Sequence, residues 1–165
     1  MTGAPDALTT YAQDQGAAAI GARLRRLSER IDREAARLYA DLGVHFEQRW
    51  FGPLDLLGRF GPLSVGEIAR ALGISHVSVS QTRDSLQRAG LVSAEPDPAD
   101  ARSRKLRLTG HGEALRAELG PVWEALNGVA VELDREAGGV VAVLDRLDQA
   151  LDRQAVDQRA RGRLG

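Results

Sequence analysis

The sequence contains no cysteine. That excludes a disulfide framework, a thiolate zinc site and a cysteine redox switch. Aromatic residues are scarce, with two Trp, two Tyr and three Phe in 165 residues, and there is one methionine. No apolar run reaches the roughly 20 residues that a membrane-spanning helix needs, so no membrane partner is expected. The opening "MTGAPDALTTYAQDQGAAAIG" lacks the basic start and apolar block of a secretory signal, and the expected location is cytoplasmic. The formal net charge is only −1, so any affinity for a polyanion has to come from a local patch. Lysine is nearly missing as well: Lys105 is the one lysine among 22 basic residues.

The chain is rich in helical periodicity. Residues 1–15 are small and polar and read as a loose arm. Ile20, Leu24, Leu27, Ile31, Ala35, Leu38 and Leu42 then recur every three or four residues, an amphipathic helix stripe. A second helix is expected within 47–60, with Pro53 tolerable only near its first turn. Ser64-Val-Gly-Glu67 is a capping box ahead of Ile68, Ala69 and Leu72. Gly73 breaks that helix, Ser75 can cap the next, and Gly90 ends it. Residues 91–95 and 104–109 read as two short strands joined by a turn from Pro96 to Ser103. A long helix follows from about Gly112, Gly138-Gly139 interrupts it, and a last helix carries Val140 to Leu151. The tail from 161 to 165 reads as frayed.

The order short helix, tight turn, second helix, hairpin is that of a helix-turn-helix with a basic hairpin behind it. Ala69 and Gly73 permit close crossing and a sharp turn. Between residues 75 and 107 six basic residues (Arg83, Arg88, Arg102, Arg104, Lys105, Arg107) face four acidic ones (Asp84, Glu95, Asp97, Asp100). The local balance is therefore positive on a chain that is slightly negative.

The segment "GPLSVGEIARALGISHVSVSQTRDSLQRAGLVSAEPDPADARSRKLRLTGHG" resembles the winged helix-turn-helix of MarR-family transcription regulators. The wing pattern D-x-R-S…L-T-x-x-G falls on Asp100, Arg102, Ser103, Leu108, Thr109 and Gly112. The resemblance is specific over roughly residues 50–112 and looser beyond. It implies a mainly α fold with a small β-hairpin (α+β), in which the winged helix-turn-helix (45–112) is flanked by dimerisation helices (16–44 and 113–160). It further implies a homodimeric repressor on a palindromic operator in double-stranded DNA. Arg102 then enters the minor groove, where a narrow groove concentrates negative potential and a planar guanidinium fits. Arg104 and Lys105 support it, and Asp100 orients the wing. On the recognition helix the expected DNA face holds Ser75, His76, Ser78, Ser80, Gln81 and Ser85; hydroxyls suit phosphates and Gln suits adenine. Gln81 stands where many relatives carry Arg, and Arg83 where they carry an apolar residue.

Four of the scarce aromatics, Tyr39, Phe46, Trp50 and Phe51, fall within thirteen residues of one another, beside His45 and Arg49. Two readings stand: core packing with one Trp exposed, or a pocket in which Tyr39, His45, Phe46, Arg49 and Trp50 hold a small aromatic or anionic effector, as the resemblance implies. His45, His76 and His111 are far apart, so no metal site and no cofactor are expected. No nucleophile elbow, phosphate loop or metalloprotease motif occurs, and no enzyme is expected. The alternative to a DNA-reading regulator is a ligand-binding or protein-interaction module on the same scaffold.

Overall fold

A computed structural model describes Tyr11, residues 14–97 and residues 100–165, and of residues 100–103 the backbone alone. The chain forms two compact units, Met1–Ala117 and Glu118–Gly165.

In the first unit, the leading stripe forms α1 (Ile20–Asp41) after a 3-10 turn at Gly16–Ala19. Ala35 and Tyr39 are buried, but Ile20, Leu24, Leu27, Ile31, Leu38 and Leu42 remain exposed, Ile31 by 57%. The apolar face is formed and, in the single chain, uncovered. A 3-10 turn at Gln48–Trp50 leads into α2 (Phe51–Phe60). Pro53 sits in the first turn, where its missing N–H has no intrahelical acceptor to lose.

β1 is a two-residue strand, Leu63–Ser64, and α3 (Val65–Leu72) starts directly after it. The capping box is complete. Glu67 N–H donates to Ser64 Oγ (3.2 Å), and Ser64 N–H donates to Glu67 Oε2 (2.7 Å). Gly73 ends α3 in the left-handed region at φ 65°. Ser75 caps α4 (His76–Arg88), its Oγ accepting from Ser78 N–H at 3.1 Å. β2 (Val92–Asp97) and β3 (Asp100–Leu108) follow. β3 is the centre of an antiparallel sheet of order β1-β3-β2. Leu106 faces Leu63 on one side and Ala94 on the other. The first unit's core draws Leu54 and Leu57 from α2, Ile68 from α3, Val79 and Leu86 from α4, Val92 and Leu106 from the wing strands, and Leu91 from the turn before them.

Three features differ from the sequence reading here. The strands run further into the hairpin than the expected turn at 96–103, because Pro96 pairs on an edge strand, where its missing donor is harmless. β1 was not expected, since two residues show no alternation. α5 (Gly110–Glu136) begins two residues early and runs through the boundary of the units.

In the second unit, Gly138 and Gly139 both take positive φ and end α5. Asp134 Oδ1 accepts from Val141 N–H at 2.8 Å across the break, and α6 spans Val140–Arg153. The expected frayed tail is instead α7 (Val156–Leu164), fully exposed. Gln158 Oε1 accepts from Ala155 N–H at 3.3 Å, satisfying a free donor at its start. Among the described residues no helix is long and apolar enough to cross a membrane.

The capping box yields a stability test. The Ser64 backbone N–H, followed by the Ser64 hydroxyl, holds the Glu67 carboxyl below the usual carboxylate range. A depressed acid stabilises the fold above its unfolded pKa of about 4.3 and loses that contribution as pH falls through the folded value. Glu67→Ala should therefore lower stability by about 1 kcal/mol at neutral pH. The gap to the parent should narrow below the ordinary carboxylate range; urea titrations at several pH values would measure it.

Candidate nucleic-acid interface

α3 and α4 form the helix-turn-helix across the Gly73 turn. The inner face of α4 carries Val79, Thr82, Ser85 and Leu86, all buried. Ser75, His76, Ser78 and Gln81 are exposed, and Ser80 is half-buried. Ser75 and Ser78 share a hydroxyl contact at 2.8 Å. The His76 ring leans back over Gly66 of α3: a Cβ there would lie 3.1 Å from its Nε2. Arg83 is held by its neighbour Asp84, with Nη2 2.7 Å from Oδ1.

Ser85 requires a correction. Expected on the DNA face, it is only 5% exposed. Its Oγ accepts from Trp50 Nε1 (3.1 Å) and Arg49 Nη2 (3.3 Å) and donates to Glu47 Oε1 (3.0 Å). Spacing from Gln81 placed it outside, whereas spacing from Thr82 places it inside. The deciding factor is the buried indole N–H, which needs an acceptor. This hydroxyl ties α4 to the turn before α2.

The wing strands are basic and largely self-paired. Arg104 Nη2 donates to the Ala94 carbonyl (2.7 Å). Lys105 Nζ lies 3.7 Å from Asp97, and Arg107 Nη1 lies 3.4 Å from Glu95. Such pairs hold the hairpin's register but add little stability where exposed. The side chains of Asp100 and Arg102 lie outside the described residues.

The wing returns to the helices through a tight junction. Thr109 N–H donates to the Leu91 carbonyl (3.0 Å), and Thr109 Oγ1 donates to the Gly90 carbonyl (2.7 Å). Thr109 Oγ1 also accepts from Gly112 N–H (3.1 Å), capping α5. Gly112 abuts the Leu91 carbonyl so closely that any Cβ would overlap its oxygen. The L-T-x-x-G pattern thus fastens the second wing strand to the end of the recognition helix.

A sequence profile described as MarR family matches residues 43–103, the stretch that builds this helix-turn-helix and wing. That stretch is similar to the MarR family. The chain's fold is that of winged-helix MarR regulators. It is similar to BpsR of Bordetella bronchiseptica at 25% identity and a TM-score of 0.64, covering 78% of this chain and 92% of that one. The DNA binding of BpsR is regulated by 6-hydroxynicotinic acid. S. aureus MepR in complex with DNA shares the fold at 20% identity and a TM-score of 0.66, covering 80% of this chain and 98% of that one. The HTH-type transcriptional regulator YcgE of Bacillus subtilis is 42% identical over 48 residues, 29% of this chain. That match spans about 31% of YcgE's own length.

In the first unit the aromatic cluster packs as core. Tyr39, Phe46 and Trp50 are buried, Trp50 to 2% exposure, so this Trp is not the exposed one expected. Tyr39 and Phe46 ring centres lie 4.7 Å apart, and Phe46 and Trp50 meet edge to face at 5.7 Å. His45 packs edge-on against Trp50 from the exposed side, and Arg49 pairs with Glu47. A cavity of about 340 Å³ lies elsewhere, lined by Leu57, Gly61, Arg107, Leu108, Glu113 and Arg116 among others. Sequence reasoning placed Thr109 in the wing pattern but missed its fastening role, and it missed the hydrogen bond of Glu47 to Ser85. The signal for Thr109 was present, since a Thr three residues before Gly112 caps a helix.

Proposed function

We propose that the protein is a sequence-specific transcriptional regulator that binds double-stranded DNA as a homodimer. The observation that carries this reading is the polar outer face of α4, exposed beside a basic two-stranded wing. α4 enters the major groove, with Gln81 reading a base and Ser75, His76, Ser78 and Ser80 positioning the helix on phosphates. Arg102 at the wing tip enters the minor groove, Asp100 orients it, and Arg104 and Lys105 add charge behind it. The exposed apolar faces of α1, and of α5 and α6 in the second unit, are covered by the same faces of another copy. Two recognition helices then stand about one DNA turn apart, and the operator is an imperfect palindrome. The protein acts as a repressor in the cytoplasm. The DNA-bound MepR structure and the ligand-regulated BpsR support a DNA-binding regulator that answers to a small effector. With the aromatic rings packed as core, exposed His45 and Arg49 are the groups that such an aromatic or anionic effector meets first.

The test is selection of bound sequences from a random duplex pool at several salt concentrations. One palindromic motif is expected. Gln81→Ala should relax one position in each half-site at about 1–3 kcal/mol. Arg102→Ala should weaken binding across sequences and flatten the salt slope. A pool without enrichment would overturn the reading.

A further inference from the structure

We propose that Val77 reads a thymine methyl group in the major groove, one or two base pairs from the position read by Gln81. The inference rests on the DNA-binding reading above. Val77 is the second residue of α4 and is 66% exposed, whereas Val79 is 1% exposed. At about 100° per residue the two valines point to opposite sides of the helix. Val77 therefore belongs to the outer face and not to the margin of the core. Its neighbours there are hydroxyls and an amide: Ser78, Ser80 and Gln81.

Local structure gives no reason for a valine at this place. A β-branched residue is a mediocre helix former, and leaving it in water gains nothing. It also has no hydrogen-bonding group, so phosphates and the polar base edges offer it nothing. The one apolar feature of the major groove is the C5-methyl of thymine. Val77 and Gln81 are four residues apart, hence on one stripe and about 6 Å apart along the axis. Against a base-pair rise of about 3.4 Å, that separation corresponds to one or two steps. Ile74, 45% exposed in the turn before α4, lies beside the same end and extends the apolar contact.

Deoxyuridine tests this, because it differs from thymidine by that methyl alone. The full-length protein is used with the duplex that it enriches from a random pool, each thymine being replaced in turn. One thymine per half-site should lose about fourfold in affinity on replacement, the worth of one buried methyl. That thymine should lie within two base pairs of the position that Gln81→Ala relaxes. Val77→Ala should bind the thymine operator about as weakly as the parent binds the deoxyuridine one, and should no longer distinguish the two. Circular dichroism checks that α4 is intact in the variant. An enriched operator indifferent to deoxyuridine at every thymine overturns this inference alone. So does a Val77→Ala variant that keeps the parent's discrimination. A pool that yields no enriched sequence overturns the DNA-binding reading, and this inference with it.

Discussion

Gly112→Ala is expected to destabilise the first unit by roughly 3 kcal/mol, while Gly110→Ala, two residues earlier, leaves it nearly unchanged. The two glycines share the first turn of α5 but differ in surroundings. Nothing lies within 4 Å of a Cβ built at Gly110. A Cβ at Gly112 overlaps the Leu91 carbonyl oxygen, a backbone atom that cannot rotate away. That same oxygen accepts from Thr109 N–H. Relief of the overlap therefore moves either the strand start or the helix start and stretches the bond between them. Leu91 and Leu106, both nearly fully buried, follow that junction. Thermal and urea unfolding of the two variants side by side would measure the difference. Equal midpoints would mean that the junction gives way at no cost, and the close approach would lose its significance.

On the proposed homodimer, Ile31→Glu should leave a monomer at micromolar concentration and reduce affinity for the proposed palindromic operator by at least about a hundredfold. Ile31 is 57% exposed in the single chain, so the substitution leaves that chain's packing untouched. In a dimer covered by the α1 stripe it buries an unpaired carboxylate, which is strongly unfavourable. The six exposed side chains of the stripe contribute roughly 1 kcal/mol each when covered, enough to hold two copies together. In the proposed complex, loss of dimerisation would remove the second half-site contact, which the first otherwise makes intramolecular. Sedimentation and operator titration on the same samples check both halves. A parent protein that sediments as a monomer would remove the basis of the expectation.

Features set by local physics were legible in the sequence. The α1 stripe, the Ser64–Glu67 box, the Gly73 break and the Ser75 cap depend on residues within one or two turns of each other, and each stands where its spacing placed it. Features set by distant partners were not. β1 exists because Leu63 finds Leu106, 43 residues away, and a two-residue strand carries no periodicity of its own. Ser85 is buried because an indole 35 residues earlier needs an acceptor. The aromatic cluster was legible as a cluster, but composition cannot distinguish rings that wall a cavity from rings that fill one. The outer face of α4 shows the converse limit. Polarity picked out Ser78 and Gln81 and passed over Val77, which carries no hydrogen-bonding side chain.

Lys105 has a practical consequence. It lies on β3, opposite Glu95 and within reach of Asp97, midway along the hairpin. It is also the one lysine in 165 residues. Apart from the terminal α-amine, an amine-directed reagent therefore has a single side-chain address in this sequence, and that address is the wing. A fluorophore, spin label or cross-linker placed there needs no engineered residue and leaves the other 21 basic side chains untouched. The hairpin comes with its own attachment point for spectroscopy.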